Sequence, residues 1–276
     1  MRFVSDNRAS RILYNLLVSN EFEKPFLLPA NVCAVIPKVF EEAGVKTEFV
    51  DIDSSLFCID INHFLSKLDH YSGVLFVHTY GVEFCNEFYF KKIKQLCPSF
   101  VIIDDRCLCT PSIRVPNTSA DVCLYSVGEK KQVDLGRGGY AFLQNWIRYQ
   151  KCTLHSQSFM DDSTWAFDSG VIFEKTQEAK SHRELINSVY YSLLPQTHQF
   201  DSIFQNWRFN IFVDNKQVIL DAIFNEGLFA SSHYCPIVTD CFWANELQNH
   251  VINLFNDYHF SKDMAIEICR VINNIL

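Results

Sequence analysis

The chain has 276 residues, 48% of them hydrophobic and 20% charged, which excludes a disordered tail and suits one large α/β unit with a smaller appendage. The formal net charge of -8 speaks against nucleic acid as the main partner, because binding phosphates takes clustered Lys and Arg. No apolar stretch approaches the roughly 20 residues of a membrane span, and Met1-Arg2-Phe3-Val4-Ser5-Asp6-Asn7 lacks the apolar core of a signal peptide, so a soluble cytoplasmic protein is expected.

In chain order, helical spacing over 8–19 (Ile12, Leu13, Leu16, Leu17) precedes the short apolar run Pro25-Phe26-Leu27-Leu28-Pro29. A helix over 32–43 closes at Gly44, a strand follows at 47–51 and a helix near 60–68. Buried strands are predicted at 73–78, 99–105, 121–126 and 139–143, with a helix over 86–96 that puts Lys91, Lys92 and Lys94 on its wet face. Short apolar runs alternating with amphipathic helices predict an α/β fold, a mostly parallel central sheet with helices on both faces. Beyond a polar, irregular stretch at 150–170, the pattern gives a long helix over 172–193, a linker at 195–206 and a strand at 208–213. A helix over 215–226, a strand at 228–234 and helices near 243–253 and 261–275 complete a small C-terminal α/β domain. The expected division is 1–160 for the large domain and 161–276 for the small one.

Eleven cysteines are scattered along the chain, and the single close pair, Cys107 and Cys109, has no second pair to complete a zinc site. They read as reduced thiols, mostly packed as small hydrophobes, and no metal is expected. In open parallel sheets, ligands bind at the carboxyl ends of the strands. His78, Asp104, Asp105 and Ser126 all end strands in this reading, so they are the first candidates for a site.

The most informative segment is Ser126-Val127-Gly128-Glu129-Lys130-Lys131-Gln132-Val133-Asp134-Leu135-Gly136-Arg137-Gly138-Gly139. A strand ends in Ser, lysines follow, and a Gly-x-Gly-Gly turn leads into the next strand. It resembles the S-F-x-P-T-K-x-L-x-x-G-x-G-G of the DegT/DnrJ/EryC1/StrS family of pyridoxal phosphate (PLP)-dependent sugar aminotransferases. The family lysine falls on Lys131 without a gap, and Lys130 is the rival one place out of register. Further matches come in the family's order. The run from Pro29-Ala30-Asn31 to Ala43-Gly44 is similar to P-A-Y-T-F-x-A-T-x-N-A-x-x-x-A-G, and Phe49-Val50-Asp51-Ile52-Asp53 to V-F-V-D-I-D. Val77-His78-Thr79-Tyr80-Gly81 resembles V-H-L-Y-G, and Ile102-Ile103-Asp104-Asp105-Arg106-Cys107 resembles V-I-E-D-A-A. Ser232-His233-Tyr234-Cys235-Pro236 looks like the family's H-Y-x-P region, and the closing helix from Phe260 like its terminal segment. The likeness covers most of the chain from Pro25 onward, patchily between 145 and 205.

The resemblance implies fold type I, with PLP as cofactor and Lys131 as the Schiff-base lysine. A Schiff base needs a neutral amine, so such a lysine must be partly desolvated or lie near another cation. Asp105 would be the carboxylate at the pyridine nitrogen, although a strand-end Asp can equally cap the next turn. Ser126 would bind the cofactor phosphate. Ala9-Ser10-Arg11 sits where the family has a phosphate-binding helix start, and there Ser10 serves equally well as an ordinary N-cap. Cys33, His78 and Leu108 fall at further cofactor-contact positions; His233 and Tyr234 could line the site entrance, although His233 reads equally well as a satisfied core histidine. The implied activity is transfer of an amino group, with glutamate as donor, to a nucleotide-linked keto-sugar in surface polysaccharide or lipopolysaccharide biosynthesis, by a homodimer.

This sequence also departs from the family. Cys33 replaces the aromatic that stacks on the cofactor ring, Leu108 replaces a polar residue near its phenolic oxygen, and Arg106 replaces a small one. The G-Y-N-x-R segment that reaches the partner subunit's phosphate has no counterpart. A second reading follows: a reduced relative that keeps the fold for binding or for another PLP reaction.

Overall fold

Strands β2 (Phe26–Pro29), β4 (Gly73–Val77), β5 (Val101–Asp105) and β6 (Val122–Ser126) are buried at every position, as expected of apolar runs covered on both faces. They come from a computed structural model that describes residues 1–83, 86–152 and 165–276. With β1 (Arg2–Asp6), β3 (Thr47–Val50) and β7 (Gly139–Leu143) they form one seven-stranded sheet in the order β1-β7-β6-β5-β4-β2-β3. Strands β2 to β6 pair in parallel, and β7 runs antiparallel to both β6 and β1.

Side chains alternate across this sheet. One face (Leu28, Leu75, Ile103, Leu124, Ala141) packs against helices α1 (Ala9–Ser19) and α2 (Val35–Glu42). The other (Leu27, Phe76, Ile102, Cys123, Phe142) packs with the short α3 (Ile61–Phe64), with α4 (Glu87–Leu96) and with parts of the second half.

The second half builds a three-stranded antiparallel sheet, β8 (Phe209–Phe212), β10 (Val251–Leu254) and β9 (Ala230–Ser231) in that spatial order. Its apolar core lies under α5 (Ser169–Leu193), α6 (Lys216–Asn225) and α8 (Lys262–Asn273). Buried Asn210 and Asn253 lock the register, the Asn253 amide donating to Asn210 Oδ1 at 2.6 Å. The N-terminus of α7 (Phe242–His250) docks on the first half, where the Asp51 carboxylate accepts from the Trp243 and Ala244 amides at 2.9 Å each.

Several predicted elements take a different form. The helix expected at 243–253 stops at His250, and Val251–Leu254 is instead the middle strand of the small sheet. The strand expected over 228–234 pairs at only two residues, and the helix near 60–68 keeps a single turn. Strand β1 is an addition to the sequence reading. Most of the irregular stretch at 150–170, and the domain boundary at 160, lie outside the described residues. No described helix is long and apolar enough to cross a membrane. Of ten described cysteines, all free, five are buried, while Cys33 and Cys235 are exposed.

Candidate active site

The carboxyl ends of β4, β5 and β6 lie side by side and open onto a cavity of about 320 Å³, within the usual size range of small-ligand sites. Asp105 closes β5 on the α1 side of the sheet, and its Oδ1 accepts from the Cys107 amide at 2.9 Å. Its neighbour Asp104 alternates to the opposite face, fully buried, and bonds His78 Nε2 at 2.7 Å and Arg106 Nε at 2.6 Å. Only Asp105 of the two faces the cavity.

After β6 the chain folds into a tight loop. Leu135 N donates to Val127 O at 2.8 Å, and Val127 N to Gly138 O at 3.0 Å. Lys130 takes a left-handed backbone with φ of 60°, costly for any residue with a Cβ. Two bonds hold it there: Lys130 N donates to Asp134 Oδ2 at 2.8 Å, and Trp207 Nε1 donates to Lys130 O at 2.8 Å. The bend separates the two lysines. Lys130 is exposed and away from this cavity, whereas Lys131 is half-buried and lines it. Asp105 and Lys131 both act on the Cys107 thiol. Burial pushes its pKa well up, the Asp105 carboxylate adds to the rise, and the Lys131 ammonium opposes it.

The far wall is built from the start of α1 and the end of β6. Asp6, Gly139 and Ser126 are consecutive partners across β1, β7 and β6, so α1 starts directly beside the end of β6. A Cβ on Gly139 would meet Ala9 N at 2.3 Å; glycine is what permits this approach. Among the described residues no side chain caps α1, and Ala9 and Ser10 line the cavity, so the helix presents its first-turn N–H groups and the positive end of its dipole. Among the described residues Ser126 Oγ makes only long contacts, to Gly128 N at 3.4 Å and Gly138 O at 3.5 Å, and is left able to bond a ligand.

The other candidates divide. Cys33 and Leu108 line the cavity. His78 touches it but is 1% exposed, and its ring nitrogens are engaged by Val82 O and Asp104, both at 2.7 Å. Arg11 turns away from the cavity, its Nε 3.5 Å from Asp6 Oδ1. Tyr234 lines the cavity, whereas His233 packs on Trp207, ring centroids 5.5 Å apart. Sequence reasoning missed Arg8 and Arg137, which add positive charge to the lining. Arg137 sits inside the glycine turn and was legible there; Arg8 needed β1 to place it.

No known family matches the chain by sequence profile, and no curated protein matches it by sequence. Solved structures do match. A DegT/DnrJ/EryC1/StrS aminotransferase from Brucella abortus superposes with a TM-score of 0.72 at 13% identity, over 99% of this chain and 86% of that one. PseC of Helicobacter pylori, an aminotransferase involved in the biosynthesis of pseudoaminic acid, gives 0.74 at 13% identity over 99% and 86%. The sugar aminotransferase CalS13 of Micromonospora echinospora gives 0.70 at 16% identity over 99% and 87%. The chain has the fold these aminotransferases share. Its resemblance to the DegT/DnrJ/EryC1/StrS sequences therefore extends to the three-dimensional architecture.

Proposed function

We propose that the chain is a PLP-dependent sugar aminotransferase, moving an amino group from glutamate to a nucleotide-linked keto-sugar in surface polysaccharide or lipopolysaccharide biosynthesis. One observation carries the reading: an amine, a carboxylate and a helix start converge on a single cavity in this fold. The donor set fits PLP. The uncapped start of α1 with Ser10 and Ser126 suits a phosphate, Asp105 suits a ring nitrogen and Lys131 suits an aldehyde. When bound, PLP supplies a carbonyl that condenses with amines and a protonated ring that draws electrons from the substrate's α-carbon.

The chain's own residues do the rest. The α1 amides, Ser10 and Ser126 anchor the phosphate and so orient the cofactor. Asp105 holds a proton at the ring nitrogen by its negative charge. Lys131 Nζ would carry a proton to and from the substrate's α-carbon. In this reading the chain divides near residue 160 into a cofactor-binding domain and a small domain, acts in the cytoplasm and pairs as a homodimer without nucleic acid or membrane. A second reading is favoured by Cys33 and Leu108, which line the cavity without a ring or a polar group. It is a reduced relative, catalytically altered or inactive, that keeps the fold for binding or for another PLP reaction.

Adding PLP to the purified chain should produce the visible absorbance of lysine-bound PLP. Borohydride reduction followed by peptide mass analysis should place the label on Lys131, and Lys131→Ala should stay colourless. Label on Lys130 would sink the site assignment. Glutamate should then bleach the colour to the pyridoxamine form. A coloured protein that no amino donor bleaches would select the second reading. Sedimentation of the loaded chain as a monomer would remove the homodimer.

A further inference from the structure

The Lys131 loop has a second side. Between it, α5 and the segments around β9 and β10 lies a larger cavity of about 1100 Å³, which Lys131 also borders. Much of its wall is apolar, with Leu135, Phe255, Phe260 and Met264 contributing. Arg183 on α5 also lines it and is only 5% exposed. Its guanidinium is poorly satisfied. Nη1 reaches Ala179 O and Nη2 reaches Lys131 O, each at 3.4 Å, and the buried Nε has no hydrogen-bond partner among the described residues.

Four carboxylates border this cavity, Glu129, Asp134, Glu178 and Asp257, and among the described residues none is ion-paired or hydrogen-bonded to Arg183. Asp257 is held by Arg208 at 2.5 Å, Glu178 by Lys175 at 2.6 Å, and Asp134 by the Lys130 and Gly136 amides at 2.8 Å each. Burial and the charge of Arg208 push the Arg183 pKa down to about 10 against the opposing charge of Asp257, so it is still a cation at neutral pH. A buried cation with no carboxylate bonded directly to it is costly, and a guanidinium matches the planar oxygens of a carboxylate or phosphate.

We propose that this cavity binds a small anion, a carboxylate or phosphate carried on an apolar body, with Arg183 as its charged partner. The proposal does not rest on PLP binding in the first cavity. Because Arg183 also donates to Lys131 O, such an anion bears on the same loop from behind.

Calorimetric titration of the full-length chain at low salt tests it, with inorganic phosphate, phenyl phosphate and benzoate as probes. Ser126→Ala serves as the background, since it weakens anion binding in the first cavity. Phenyl phosphate or benzoate should bind at one site, more tightly than inorganic phosphate, and whichever of the two is tighter identifies the head group. Adding Arg183→Gln should weaken that binding at least tenfold. Arg183→Lys, which keeps the charge and protects the fold, should weaken it by a smaller factor. Three results would each overturn the proposal: no binding of any probe, binding unchanged by both Arg183 variants, or binding abolished by Ser126→Ala alone. Inorganic phosphate binding as tightly as phenyl phosphate would overturn it too, since the apolar wall would then play no part.

Discussion

Cys33 stands at the cavity wall where the resembling family has a ring, and a thiol offers a cofactor little contact area. An aromatic pair contributes about 0.5–1.5 kcal/mol beyond its buried area, which is roughly two- to tenfold in affinity. Cys33→Tyr should therefore tighten PLP binding by such a factor in an absorbance titration. Unchanged or weaker affinity would mean the ring's place is already filled, with Tyr234 the nearest candidate. On the other face of the sheet His78 and Asp104 are buried together. Burial opposes charge on His78, but Cys109 and Asp104 outweigh it, and its pKa stands well above the ordinary 6.5. The folded protein thus holds a proton that the unfolded chain releases near 6.5. The resulting stability is fully present below that pH and is lost as pH rises through the folded pKa. Urea midpoints measured from pH 6 upward should fall for the wild type, and His78→Gln should flatten that slope. An equal slope in both would assign the pH dependence to other groups.

At the scale of elements, the site depends on how closely α1 approaches β7. Gly139→Ala would place a methyl 2.3 Å from the Ala9 amide nitrogen, against backbone that cannot swing aside. It should cost about 1–3 kcal/mol of stability and displace the helix start, so both the melting temperature and PLP affinity should drop. Gly128→Ala meets nothing nearer than Ser126 Oγ at 3.6 Å and should leave stability close to wild type. If the two variants melted alike, the close approach would not be what demands glycine. The same elements show what the sequence could and could not convey. Fully buried parallel strands are continuous apolar runs bounded by turns, so β2, β4, β5 and β6 were plain, along with Asp105 and Ser126 at their ends. Lys131 was legible from its spacing to Ser126 and the glycines, though only the left-handed turn at Lys130 separates it from its rival. Strand β1 was not, because Arg2–Asp6 is short, half polar and an edge strand whose partner β7 lies more than 130 residues away. Without β1 the start of α1 had no place in space, and the anion pole stayed ambiguous. Strand β10 was hidden by Asn249-His250, which prolongs the helical pattern of α7 into β-branched Val251 and Ile252.

Across the whole molecule, the Lys131 loop lies where the two sheets' units meet. Arg183 and Trp207, from the second half, donate to the carbonyls of Lys131 and Lys130, and Tyr80 OH donates to His233 O at 2.5 Å. Asp51 caps α7 from the first half. A ligand held by Lys131, Asp105 and the start of α1 would thus brace a loop that both halves already share. Any ligand that binds only the folded state stabilises it by mass action, by about 2.7 kcal/mol at a hundredfold excess over its Kd. PLP should therefore raise the melting temperature, and the two halves should melt together in one transition because the loop links them. In Lys131→Ala the anion pole and Asp105 remain, so phosphate anchoring should persist and a smaller shift should survive. Calorimetric scans with and without PLP check this for both proteins. Two separate transitions in the loaded wild type, with only the first moving, would show that the loop does not couple the halves.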